Sequence, residues 1–232
     1  MGNGKLIVAI IIVLLLIGGL VGGFLYMQNN SKQAGILQEE MTKLAESDFL
    51  NEEIDMNIKS GGDYGKVEEA VKEYLNGVKT TYNDLKTFCN NEDVTKILSP
   101  ENISADEAEL TVVQQKVDEY NQKLTQLTNS VASIASEDEI LKTIESKEVR
   151  DNYIDVYKNI MLNEAVQAKL TSIQQKAENE QLKAKEKIEG LEKVVEFLQK
   201  NSKYWEVNDG KLQFTNVNKL GEYYQLLNGA EQ

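Results

Sequence analysis

Residues Leu6 to Met27 form a run of 22 residues without a charge. A helix of that length rises about 33 Å at roughly 1.5 Å per residue. The hydrocarbon core of a bilayer is about 30 Å thick, so the run is long enough to span one. A secretory h-region is shorter, about 7–15 residues, and is followed by small residues at a cleavage site. Here Phe24, Leu25, Tyr26 and Met27 close the run, with no Ala-x-Ala pattern following and no cysteine at its end. Tyr26 suits the headgroup level, where aromatic rings settle. The run is therefore expected to be an uncleaved signal anchor, residues 6–27, behind a short cytoplasmic tail, residues 1–5. The lysines around it give only a weak charge bias. A tail of five residues favours the N-terminus inside and the C-terminal domain outside the cytoplasm.

Gly18 and Gly22, and Gly19 and Gly23, make two overlapping G-x-x-x-G pairs in this run. Small residues four apart let helix backbones approach closely within a membrane. These four glycines are the expected helix–helix interface for self-association or for docking onto another membrane helix. The alternative is that small residues are simply common in such spans.

All 38 acidic residues lie beyond Met27, and the chain carries a formal charge of −13. Binding to nucleic acid rests on Lys and Arg neutralising phosphates, so no nucleic-acid partner is expected. A single arginine among abundant Lys, Asn, Glu and Ile fits the coding bias of an AT-rich bacterium.

Residues 28–62 read as a juxtamembrane helical or linker segment, and residues 63–200 as a bundle of long helices. One seam runs Tyr64, Val67, Val71, Tyr74, Val78, Thr81, Leu85, Phe88, after a break at Gly61-Gly62 and with Asp63 as cap. A second runs Leu110, Val113, Val117, Tyr120, Leu124, Leu127, Val131, Ile134, at alternating intervals of three and four. Such spacing marks the buried stripe of a packed or coiled helix. Ser104 with Glu107, and Ser136 with Glu139, match the capping box. Between the two seams lies a loop, Asn90 to Ile103, in which Ser99-Pro100 fits a cap followed by proline at the first helical position. The two seams are expected to pack as an antiparallel hairpin. A third helical region begins with Ile140, Ile144, Val149, Tyr153, Val156 and Ile160. It is expected to run on to about Gln199, through the polar stretch QQKAENEQLKAKEK, which contains neither Gly nor Pro. That stretch offers only Ala177, Leu182 and Ala184 for burial, and reads as an exposed helical arm if it does not break.

Residues 201–232 change period. YWEVNDGKLQF reads as a hairpin turning at Asp209-Gly210, with Trp205 opposite Phe214 and Val207 opposite Leu212 on one face. A short helix should follow, burying Val217, Leu220, Tyr224 and Leu227 and ending at Gly229. Trp205, Phe214, Tyr223 and Tyr224 either seal the open end of the bundle or form an aromatic contact surface. The fold class is thus mainly α: a transmembrane helix, an antiparallel helical bundle, and a small C-terminal β-hairpin with a short helix.

Catalytic chemistry has little to work with. The chain has no histidine and one cysteine, which removes the usual general base, the Ser-His-Asp arrangement and most zinc sites. Cys89 follows the seam residue Phe88 and reads as a packed side chain. GGDYGK, residues 61–66, lacks the spacing, the following Ser or Thr and the preceding strand of a phosphate loop. The acidic pairs Glu52-Glu53, Glu68-Glu69 and Asp138-Glu139 lack the ladder of a calcium loop and read as solvated helix faces. No catalytic, cofactor or metal residue is expected. The expected function is a single-pass, extracytoplasmic, non-catalytic interaction or scaffold module of the cell envelope, with a protein partner or self-association. The alternative is a tethered binding protein for an unspecified small ligand or peptide.

Overall fold

The computed structural model describes residues 31–90, 92–105 and 109–230. The chain is mainly helical, with one small hairpin near its C-terminus. In order it forms α1 (Ser31–Glu46), α2 (Gly62–Cys89), a 3-10 helix (Glu92–Leu98), α3 (Pro100–Ser104) and α4 (Thr111–Ala132). There follow α5 (Glu137–Glu145), α6 (Asp151–Met161), α7 (Glu164–Lys200), a 3-10 turn (Ser202–Tyr204), β1 (Trp205–Asn208), β2 (Lys211–Phe214) and α8 (Val217–Ala230). No described helix is long and apolar enough to cross a membrane. The expected span Leu6–Met27, with Gly18, Gly19, Gly22 and Gly23, lies outside the described residues.

The described residues divide into two compact units, one of those up to 83 with 130–176, the other of those in 84–129 and 177–230. In the first unit Leu37, Val67, Ile140, Ile144, Tyr157 and Leu170 are buried to the last per cent. Tyrosines turned into this unit keep their hydroxyls bonded, as loss of water demands. Tyr157 Oη donates to Ile140 O at 2.9 Å, and Tyr74 Oη donates to Ile134 O. Tyr153 sets its ring edge-on to Tyr64 at 4.9 Å, and Arg150 lies over Tyr153 while its Nε bonds Asp63 at 2.7 Å.

In the second unit one apolar cluster joins Leu110, Val113 and Val117 to Leu191, Val195 and Leu198. Trp205 and Tyr223 belong to it, and Phe214 packs against it. The hairpin has the expected register, Trp205 with Phe214, Glu206 with Gln213 and Val207 with Leu212. Asp209 and Gly210 both take positive φ, 49° and 68°, as a two-residue primed turn requires. The period-two alternation follows: Trp205 is buried, Val207, Leu212 and Phe214 are half-buried, and Glu206 and Gln213 are exposed.

Several expectations need correction. The region from Ile140 to Gln199 is three helices, not one. It breaks at 146–150, where Glu148 has φ 51°, and again at 162–163. Asn163 closes the second break, its Oδ1 accepting from Val166 N at 3.0 Å as an N-cap does. The polar stretch stays helical within α7, yet it is not a free arm: Ala177 and Ala184 are buried and Leu182 is 56% exposed. Leu110 is buried but lies ahead of α4 with φ 54°. Ser104 ends α3 instead of opening α4, and its hydroxyl donates to Glu101 O. The segment 90–103 is ordered as the 3-10 helix and α3, with Ser99 Oγ accepting from Asn102 N as the expected cap. The Ser136 cap is also present, accepting from Glu139 N. In α8 the buried residue is Tyr223, while Val217 and Tyr224 point outward and Gly229 does not end the helix.

Candidate functional site

Of the expected aromatic contact residues, three turn inward. Trp205 is 9% exposed and donates its indole N–H to Leu198 O at 2.7 Å. Phe214 stacks near Tyr223 at 5.2 Å and Phe197 at 6.4 Å. Tyr224 alone faces solvent, at 53% exposed. These residues thus close the second unit's core, and on α8 Tyr224 and Val217 offer apolar surface outward.

The most buried charges lie in the first unit. Glu68 is fully buried, Lys72 nearly so, and both sit inside α2 one turn apart. Lys72 Nζ donates to Glu68 Oε1 at 2.6 Å, to Asn57 O at 2.8 Å and to Glu40 Oε2 at 3.3 Å. Glu68 Oε2 also accepts from Ser60 N at 2.8 Å and Ser60 Oγ at 2.6 Å, and Lys59 N bonds the same carboxylate at 3.1 Å. The segment leading into α2 therefore folds back over Glu68. Gly65 permits this approach, since a Cβ there would lie 2.6 Å from Ser60 O. The reading of Glu68 as a solvated acid is corrected by this enclosure. Every donor of the Lys72 ammonium has an acceptor, so the cluster is saturated and holds α1, the 57–60 segment and α2 together. Among the described residues no group of three or more His, Cys, Asp or Glu is placed to hold a metal ion.

A void of about 40 Å³ lies in the first unit between Met41, Phe49, Leu75, Met161 and Leu170. Lys169 stands at its edge, donating to Ala45 O at 3.0 Å and Ser47 O at 3.3 Å and lying over the Phe49 ring. Burial lowers the Lys169 pKa, opposed by Asp48. The ammonium satisfies carbonyls at the end of α1, where a cation is favoured. Small-molecule sites run about 300–1,000 Å³, so this void is a packing gap.

A cleft of about 350 Å³ in the second unit is in that range. Lys116, Tyr120 and Lys123 line it from α4, at positions one turn apart on one helix face. Phe88, at the end of α2, stacks on Tyr120 with centroids 4.4 Å apart. Lys96 and Ile97 come from the 3-10 helix and Asn102 from α3. Asn102 Nδ2 donates to Lys96 O at 3.0 Å and Ile97 O at 3.2 Å, which fixes α3 against the 3-10 helix. Burial pushes the Tyr120 hydroxyl up to about 12, with Cys89 adding to the shift, so the phenol is neutral and can donate. Cys89 behind it is raised to about 11, by burial first and Glu180 second, and is an inert thiol at neutral pH. The cleft thus joins stacked aromatic rings to lysines of α4, on a strongly acidic chain. The two lysines on α4 carry no distinctive spacing in sequence, and they gain meaning only when Phe88 and the 3-10 helix are folded beside them. Comparison with models of protein families, with curated proteins and with solved structures finds no match for this chain.

Proposed function

We propose that this chain is a single-pass membrane protein of the cell envelope, whose helical domain stands outside the cytoplasm as a non-catalytic interaction or scaffold module. The observation that carries the reading is the uncharged run Leu6–Met27 leading directly into a mainly helical domain. In this reading the heptad-spaced α2 and α4 pack as an antiparallel pair within a bundle. Gly18, Gly19, Gly22 and Gly23 associate in the membrane, with a second copy or with a partner's helix. Val217, 79% exposed, and Tyr224 on the outer face of α8 provide apolar contact for a protein partner. The lack of any histidine supports binding over catalysis.

Protease shaving of spheroplasts, followed with an antibody to the C-terminal tail, tests the placement. Loss of the epitope from intact spheroplasts is the expected result, and protection until lysis would overturn it. Crosslinked oligomers that persist unchanged in the Gly19→Ile, Gly22→Ile double variant would remove the self-association part alone.

The cleft of Lys116, Tyr120 and Lys123 favours a second reading, a tethered binding protein for a small ligand. Its size and its aromatic wall support this, independently of how the chain meets the membrane.

A further inference from the structure

We infer that the cleft between the end of α2, the 3-10 helix and α4 binds a small organic anion with a flat, apolar body. This rests on the second reading above and names its ligand class. Most lysines with a carboxylate in reach are ion-paired, as Lys43, Lys72, Lys147 and Lys219 are. Lys116 and Lys123 make no ion pair with a described residue, although the chain carries 38 acids against 25 bases. They flank Tyr120 at four and three residues' distance on α4 and line the same cleft as its ring. Glu119 lines the cleft too, its carboxylate accepting from Gln115 Nε2 at 3.0 Å, so one negative charge stands against the two lysines of α4. The positive charge therefore exceeds the negative at this one concavity.

The remaining lining selects the body of the ligand. The stacked Phe88 and Tyr120 rings present aromatic surface, against which a flat group stacks favourably. Val94 and Ile97 form an apolar floor. A polyanion such as nucleic acid is disfavoured, because the chain's net charge of −13 repels an extended run of phosphates. A compact ligand with one anionic group and one ring system satisfies both walls.

The test is calorimetric titration of the full-length, detergent-solubilised chain with three probes: 2-naphthoate, the neutral 2-naphthylmethanol, and inorganic phosphate. The Lys116→Gln, Lys123→Gln double variant is titrated alongside, with its thermal midpoint checked against the parent. The expected result is saturable one-to-one binding of 2-naphthoate. Affinity should fall about tenfold or more in the double variant and for the neutral probe, a tenfold loss being about 1.4 kcal/mol. Phosphate should not saturate over the same range. Equal binding of 2-naphthylmethanol by the parent overturns the anion class while leaving the ligand-binding reading intact. Equal binding of phosphate overturns the requirement for a flat body. Absence of saturable 2-naphthoate binding, or binding unchanged in a folded double variant, removes the cleft as the site.

Discussion

Lys72 is 1% exposed, and the carboxylate of Glu68 beside it is fully buried. Lys72→Met would leave that carboxylate without its nearest counter-charge, though still bonded by Ser60 and Lys59. Breaking a buried pair from one side costs about 3–5 kcal/mol, and the urea midpoint should fall accordingly. Burial would raise the Glu68 pKa, but hydrogen bonds from Lys72, Ser60 and Lys59 outweigh it and hold it below the ordinary 4.5. A carboxyl depressed in the folded state contributes stability above its unfolded value and loses it as pH falls through the folded value. The stability gap between the parent and Glu68→Gln should therefore be constant near neutrality and narrow below about pH 4.5. Thermal melts of both proteins across that range measure it, and a gap independent of pH would refute the linkage. Gly65→Ala strikes the same cluster sterically. Its Cβ would meet Ser60 O, a backbone atom, at 2.6 Å, so Ser60 must move away from Glu68. A loss of about 2 kcal/mol or more is expected, by comparison with the roughly 1–3 kcal/mol of overpacking.

Elements were legible where a local rule settles the outcome alone. Asp209-Gly210 between alternating apolar residues sets both the turn and the register, because a slip by one residue would turn Trp205 outward. Gly210→Ala should cost about 1–2 kcal/mol, since φ 68° is unfavourable for any residue with a Cβ and no neighbour obstructs it otherwise. Loss of Trp205 fluorescence shift at a lower urea concentration would register it. In α8 the local pattern was degenerate. Tyr223 and Tyr224 both fit a helical stripe, and the packing of Phe214 against Tyr223 chose between them. Glu68 misled for a related reason. An i,i+4 Glu–Lys pair usually lies on a solvated face, and the residues that bury this pair, 57–60, form no helix or strand and have no periodicity to read. The breaks at 146–150 and 162–163 carry no glycine or proline, so the apolar spacing ran across them unmarked. The cleft was invisible for the most basic reason: Phe88, Ile97 and Tyr120 are far apart in sequence, and nothing local brings lysines and rings together.

At the scale of the whole molecule, α2, α4 and α7 each have residues in both compact units. The unit boundaries fall at Asn83-Asp84, Asn129-Ser130 and Lys176-Ala177, with no glycine or proline at any of them. A helix can end abruptly only where its exposed carbonyls and amides find partners, and none of these junctions is a cap. Melting one unit alone would leave three helices with raw ends. The two units should therefore unfold in one transition despite their separate cores. Lys72 belongs to the first unit, whereas the single tryptophan, Trp205, reports on the second. In the Lys72→Met variant the urea midpoint read from Trp205 fluorescence should shift as far as the midpoint read from helical circular dichroism. The opposite behaviour has a clear signature: dichroism would split into two steps, and the Trp205 midpoint would stay at the parent's value. In that case the helices would fray independently at the boundaries, and a partner bound at one unit could not stabilise the other. Coincident midpoints would mean that occupancy of the cleft in the second unit stabilises the Glu40, Glu68 and Lys72 cluster in the first, through helices common to both.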